Sequence, residues 1–289
     1  MPAASVIVVA SIAFLSAQTS CFLNFFLLYS IFFKKKSPIK PDWSLIYFRF
    51  GADSVYTLFI ALNMLYYLLL QISSVFNFKN FIFYLLWPSL TLGTIRATVV
   101  FLITLDRVIA AYIPVFYHNY RSRIPIIVVF TTIICYIVFE QYVLFGFCGY
   151  EIDVPLTCDN LRCAISQCYY EYWLWYEQIM YVLIGILTIS LVFRLFVWNY
   201  CNGVSTSHVV TRATRIALLE SVMICTFDAF PSFLLAHIPS VNFQSVGPIS
   251  AASKNTGFVI EAIIICRLLI FKKESVQPMW STSRISPSS

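Results

Sequence analysis

Charge is what this chain lacks most. Only 11% of its 289 residues are Asp, Glu, Lys or Arg, while 60% are hydrophobic. Soluble domains carry about 25% charged and about 45–50% apolar residues. A water-soluble globular protein is therefore excluded, and the main solvent of this chain is lipid. Glycine is scarce, at eight residues, and no internal repeat is visible. Transporters usually show repeats and Gly- or Pro-broken helices at matched positions, so a transporter or ligand-gated channel subunit is only the second reading. Histidine is scarcer still. His118, His208 and His237 are dispersed, so no metal site or acid–base pair can be built from them, and an enzyme is not expected. No cofactor is implied, and nothing points to nucleic acid. N-x-S/T sequons are absent as well.

Long apolar runs fill the space that charge leaves. Stretches of about 20 such residues are long enough to cross a bilayer as helices. Seven are found, at 6–33, 44–70, 81–106, 124–147, 173–197, 213–238 and 247–271. The expected fold is all-α, a polytopic seven-transmembrane bundle over residues 1–271, with a short polar tail over 272–289. Pro38 and Pro41 punctuate the first loop, Pro114 and Pro125 bracket the third, and Pro239 separates the sixth span from the seventh. The first run has no basic segment before it and continues for about 28 residues into Lys34-Lys35-Lys36. A cleaved signal has an apolar core of about 7–15 residues, so an anchor that stays is expected.

Lys and Arg set the orientation. With the N-terminus outside, the inner segments hold fourteen of the nineteen, from Lys34 to Arg284, and the outer segments hold Lys79 and Arg162 alone. Arg49, Arg96 and Lys254 lie within spans. The chain is therefore expected to run N-out, C-in, as a multi-pass plasma-membrane protein. Cysteine usage agrees. Cys148, Cys158, Cys163 and Cys168 crowd the loop between the fourth and fifth spans, on the oxidising side. Two bridges within that loop are expected, with three connectivities open. Free thiols are the bland alternative, and C-x4-C twice without a nearby His is not a zinc spacing.

The third span ends in TLDRVIAAYIPVFYHNYR. Asp106-Arg107, with Pro114 eight residues after the Asp and Tyr117 three further on, resembles the cytoplasmic end of the third helix of rhodopsin-like G-protein-coupled receptors. There the Arg works in the G-protein cleft and the Pro starts the second inner loop. Together with PDWSLIYFRFGADSVYTL at 41–58, the segment TLDRVIAAYIPVFYHNYRSRIP at 104–125 resembles the nematode serpentine chemoreceptors, most closely class bc. That resemblance implies detection of a small-molecule cue in sensory-neuron cilia and signalling through a heterotrimeric G protein. Homo- or heteromer formation stays open. Departures from the rhodopsin-like pattern are clear. No Cys stands at the top of the third span, between Asn80 and Leu90. Asn255-Thr256-Gly257 lacks the Pro and Tyr of an NPxxY motif. Phe230-Pro231 has no Trp beside the proline. Only Asp106, Arg107, Pro114 and Tyr117 carry over, as G-protein-coupling residues.

Ionisable groups inside the spans form the second set of candidates. Each costs about 2.5–3.5 kcal/mol in hydrocarbon even on lenient scales, so each needs a partner facing the bundle interior. Asp53 lies nine residues, roughly 14 Å, above the inner boundary of its span, and Arg96 ten residues, roughly 15 Å, above the same boundary. An Asp53–Arg96 pair near the midplane is expected, with Arg49 one turn below the Asp sharing the carboxylate. Arg96 occupies the position that helps bind sodium in many rhodopsin-like receptors, so it reads as a tethered replacement for that ion, or as one half of a purely structural pair. Asp228 and Lys254 are expected to form a second pair in the outer half, where a ligand cavity would open. Glu140 and Glu177 lie in the outer third of their spans, available to a cationic or hydroxylated ligand or to a neighbour's hydroxyl. A Lys in the seventh span also resembles the opsins, but the missing Cys and NPxxY speak against a Schiff base. Glu220 has two candidate partners, Arg107 or the basic pair Arg212 and Arg215, and Glu261 has none assigned. Trp43, Trp87, Trp173 and Trp175 sit near span ends as interfacial anchors do, and Tyr169, Tyr170 and Tyr172 rim the expected cavity mouth.

Overall fold

Apolar runs in lipid have to satisfy every backbone group internally, and helices do so within one segment. The computed structural model describes residues 4–34, 43–121, 126–156, 158, 161–202, 212–231 and 248–271, and no strand occurs among them. The helices are α1 (Ala4–Phe32), α2 (Ser44–Ile72), α3 (Phe81–Tyr112), α4 (Pro114–Arg121), α5 (Ile126–Gln141), α6 (Leu161–Ala164), α7 (Gln167–Asn202), α8 (Arg212–Met223) and α9 (Ile249–Cys266). The last residues of α5, α8 and α9 run on in wider π geometry, over Tyr142–Phe147, Ile224–Ala229 and Arg267–Phe271. Among the described residues, four helices are long and apolar enough to cross a membrane: Ala4–Phe32, Ser44–Ile72, Ile127–Phe147 and Gln167–Trp198. α3 has the length as well, with Arg96 in its interior and Asp106 and Arg107 near its end. The sixth and seventh runs are described over 212–231 and 248–271. Pro38, Pro41, Pro125, Pro239 and the tail 272–289 lie outside the described residues.

Helix ends extend beyond several of the apolar limits. α3 continues past Asp106 to Tyr112, and α7 spans 36 residues. At 1.5 Å per residue α7 is about 54 Å long, well beyond a hydrocarbon core of about 30 Å. Hydropathy marks the lipid boundary, whereas the hydrogen-bond ladder continues until something stops it. For α3 the stop is Pro114. The residue before a proline is disfavoured in helical conformation, and Ile113 leaves it, with φ −130° and ψ 64°. Pro114 then opens α4, where its missing N–H costs nothing.

α1 packs on α2 and α9, α2 on α3, α3 on α7 and α8, and α8 on α9. On α1 the buried positions are Val6, Ala10, Ala13, Ala17, Ser20, Asn24, Leu27, Ser30 and Ile31. This stripe of mostly small residues allows close helix approach, which packing in lipid rewards. Its opposite side exposes Phe22 and Phe25 to more than 60%, the pattern of a lipid-facing surface. Apolar clusters close both ends of the bundle. One holds Leu27, Ile31, Phe50, Val99, Ile103 and Ile216 near the Asp106 end. The other holds Phe83, Leu86, Leu144, Ile165 and Tyr169 near the loop cysteines. Between them the interior is polar, with Arg49, Asp53, Arg96, Glu220, Asp228 and Glu261 all buried.

Two local features position α8 and α9. Pro231 cannot donate to the carbonyl four residues back, and its ring crowds it. The π segment Ile224–Ala229 opens the helix there, and Ser253 Oγ on α9 donates to the Phe227 carbonyl at 3.1 Å. Gly257 faces the same residue. A Cβ at Gly257 would meet Phe227 Cβ at 2.7 Å, so only glycine permits this approach of the two helices.

The candidate ligand cavity and coupling site

The buried charges form one continuous chain across five helices. From α2, Arg49 Nε contacts Asp53 Oδ2 one turn above at 3.0 Å and Glu220 Oε1 of α8 at 2.7 Å, and its Nη2 pairs with Glu261 of α9. Arg96 of α3 donates from Nε to Asp53 Oδ1 at 3.1 Å and from Nη2 to Glu261 Oε2 at 3.3 Å. Its guanidinium also lies over the Phe258 ring, 4.3 Å from the centroid. Asp228 stands next, with Oδ2 at 3.8 Å from Arg96 Nη1 and 3.9 Å from Lys254 Nζ. Lys254 in turn donates to Glu177 Oε1 of α7 at 2.9 Å and to Tyr181 OH at 3.2 Å, while Tyr181 OH donates to Glu177 at 2.7 Å. Pairing is what makes these charges tolerable in a low-dielectric interior.

A cavity of about 380 Å³ opens on the outer part of this chain. This is within the usual range for small-molecule sites, about 300–1,000 Å³. α2, α3, α6, α7, α8 and α9 supply its walls. Tyr67, Tyr170 and Trp173 lie toward the loop-cysteine end, Ile60, Leu86 and Leu90 line the sides, and Tyr56, Glu177, Asp228 and Lys254 lie deep.

The loop above it is braced covalently. Cys148 pairs with Cys168 and Cys158 with Cys163, which selects one of the three connectivities. Asn80, in the left-handed region at φ 63°, ties the start of α3 to that loop. Its Nδ2 donates to the Ile152 carbonyl at 3.2 Å, and its Oδ1 accepts from the Val154 N–H at 2.8 Å. Asn tolerates that backbone region better than most residues. A polar clamp thus stands where the rhodopsin-like pattern has a cysteine. Tyr150 donates to the Ala164 carbonyl at 2.6 Å, and burial, aided by Asp153, pushes its phenol above the ordinary range.

At the opposite end, Arg107 pairs with its neighbour Asp106 and donates to Tyr117 OH at 2.9 Å. Tyr117 OH donates to Asp106 Oδ2 at 3.2 Å. Pro114 starts a new helix, so a residue three positions on is turned back toward the end of α3. Three of the four motif residues therefore form one polar cluster, and the fourth sets the turn that builds it.

The family model described as serpentine type 7TM GPCR chemoreceptor Srbc matches residues 2–273. This chain belongs to the Srbc family. The match spans every described helix, so the bundle is the seven-transmembrane receptor fold of a multi-pass membrane protein. No curated protein matches the chain.

The Srbc bundle places the sequence-predicted residues unevenly. Asp53, Arg96 and Arg49 meet near the middle of the core. Asp228 and Lys254 adjoin each other, but the nearer partner of Lys254 is Glu177. Of the two readings of Glu140, a ligand group or a partner for a neighbour's hydroxyl, the structure shows the second. Thr94 Oγ1 and Tyr169 OH each donate to its carboxylate at 2.8 Å and hold it between α3 and α7, outside the cavity lining, which corrects its place among the cavity residues. Tyr169 is thereby buried rather than at the cavity mouth, and Tyr172 OH bonds Tyr136 OH. Glu220 meets neither Arg107 nor Arg215 in any described contact and reaches Arg49 instead. Glu261, left without a partner on sequence grounds, touches both buried arginines. Its signal was its depth in α9, but nothing in the sequence says that α9 packs close to both α2 and α3.

Proposed function

We propose that this Srbc protein is a chemosensory receptor of the plasma membrane that binds a small molecule in the cavity beneath the loop cysteines and signals through a heterotrimeric G protein at the Asp106–Arg107–Tyr117 cluster. The observation that carries this reading is a shared wall. Asp228 and Lys254 both line the cavity and belong to the buried ion chain, and that chain continues through Arg96 to Glu261 on α9 and, by way of Arg49, to Glu220 on α8. A ligand that changes the partners of Asp228 or Lys254 therefore changes contacts between α3, α7, α8 and α9 directly. It shifts the receptor toward an open inner end only as far as it binds that state better. Arg107, partly open at the other end of α3, is the group offered to the G protein. Homo- or heteromer formation and a place in sensory-neuron cilia are further expectations of the same reading.

The test is a cellular response. Cells carrying the receptor and a matched G protein should respond to an active compound from a small-molecule screen, and the response should vanish in Arg107→Ala at unchanged surface expression. A current evoked by the same compound with every G protein removed would assign the chain to the channel class instead.

A further inference from the structure

The cavity's deep end has an imbalance of charge that points to a ligand class. Five carboxylates join the continuous chain, Asp53, Glu177, Glu220, Asp228 and Glu261, against three cations, Arg49, Arg96 and Lys254. Among the described residues the carboxylates are in excess by two. One of them also lacks a hydrogen-bond donor where the cavity lies. Asp228 is 4% exposed, lines the cavity, and its Oδ2 accepts no hydrogen bond among the described residues. The cations on either side, at 3.8 and 3.9 Å, stand beyond hydrogen-bond reach. A buried acceptor left without a donor is costly, more so when charged.

Resting on the reading of this cavity as the ligand site, we propose that its ligand is a small organic ammonium ion whose N–H group donates to Asp228 Oδ2. Three chemistries compete for that place, and the surroundings separate them. A hydroxyl supplies the missing hydrogen bond but leaves the charge excess untouched. A carboxylate adds another anion to a site already in excess, and Lys254, the one cation in the lining among the described residues, is already engaged by Glu177 and Tyr181. An ammonium group meets both needs. Tyr56, Tyr176 and Tyr181 line the same region, and aromatic residues suit a cation. Ile60, Leu86 and Leu90 leave room for a short apolar body toward the loop-cysteine end.

Matched probes on the full-length receptor in nanodiscs test this. Phenethylamine, phenethyl alcohol and phenylacetate share one body, as do hexylamine, hexanol and hexanoate. The amine of each set should raise the unfolding temperature saturably, and its alcohol and acid should bind at least about tenfold more weakly. Asp228→Asn should remove the preference for the amine. The comparison within wild-type protein stands even where that variant fails to fold. Equal stabilisation by the alcohol or the acid overturns the proposal, as does an amine effect that survives Asp228→Asn. So does an equal effect of sodium over caesium at matched ionic strength, which would assign the excess to an inorganic ion. Absence of any amine effect up to about 10 mM, a very weak affinity, leaves protons to balance the carboxylates and also overturns it. Because the readout uses no G protein, failure of coupling in cells leaves this result standing, and the reverse also holds.

Discussion

Two arginines on one helix show how differently the same side chain is used in this bundle. Arg96 and Arg107 are eleven residues apart on α3, roughly 16 Å along its axis. Arg96 is 4% exposed and faces three carboxylates from three other helices. Arg107 is partly open, and its two partners come from its own neighbourhood, Asp106 and Tyr117. Removing a buried partner strands charges that neither water nor lipid can solvate. Removing Arg107 leaves Asp106 partly exposed and still bonded by Tyr117. Long-range pairing thus makes Arg96 part of the architecture. Local pairing leaves Arg107 free to exchange partners without disturbing how helices pack.

Arg96→Leu should give the largest effect on folding. It leaves Asp53, Asp228 and Glu261 without their common cation, and breaking a buried pair costs roughly 3–5 kcal/mol. Surface expression by flow cytometry should fall to background. Adding Asp53→Asn should restore only part of it, because Glu261 and Asp228 still lack the contact with Arg96 and keep only Arg49 and Lys254; full recovery with that single addition would show that the other two contacts carry no weight.

The disulfides come next. Reducing or replacing Cys148–Cys168 removes a constraint over 20 residues, against 5 for Cys158–Cys163. On chain-entropy grounds the wider bridge should be worth about 1 kcal/mol more, in a total near 3 kcal/mol. Paired Cys→Ser variants, compared by thermal unfolding, should rank in that order, and equal losses would sink the entropic account.

A smaller loss is expected at the α8–α9 contact. Ser253→Ala removes the α9 hydroxyl that donates to the Phe227 carbonyl, at a cost of about 1 kcal/mol. Ser253→Thr, which keeps the hydroxyl, should lose less. Thermal unfolding that is identical in both variants would remove the role given to Ser253.

Arg107→Ala should change stability least, by less than about 1 kcal/mol, as for exposed or partly exposed pairs. Its effect should fall on signalling alone. A strong loss of surface expression in this variant would erase the contrast between the two arginines.

The seven apolar runs, the crowding of four cysteines and the order Asp106, Arg107, Pro114, Tyr117 are all legible along the chain. Each depends on local chemistry: hydropathy sets what lipid accepts, and a proline sets where a helix stops. The Asp53–Arg96 meeting was also legible, since depth can be counted along two helices that follow one another. Glu261, Glu220 and the Glu177–Lys254 pair were not. They join helices that are far apart in sequence, and depth alone cannot say which helices touch. Asn80 was hidden for another reason, because its role depends on a left-handed backbone and on a loop more than 70 residues later. The sequence by itself determined how many charges the bundle must bury and at what depths, because lipid solvates none of them. Which carboxylate meets which cation, and that Asp228 lines a cavity with no donor to its Oδ2 among the described residues, was decided only by tertiary packing, because helix rotation and neighbour order arise from contacts across the whole bundle.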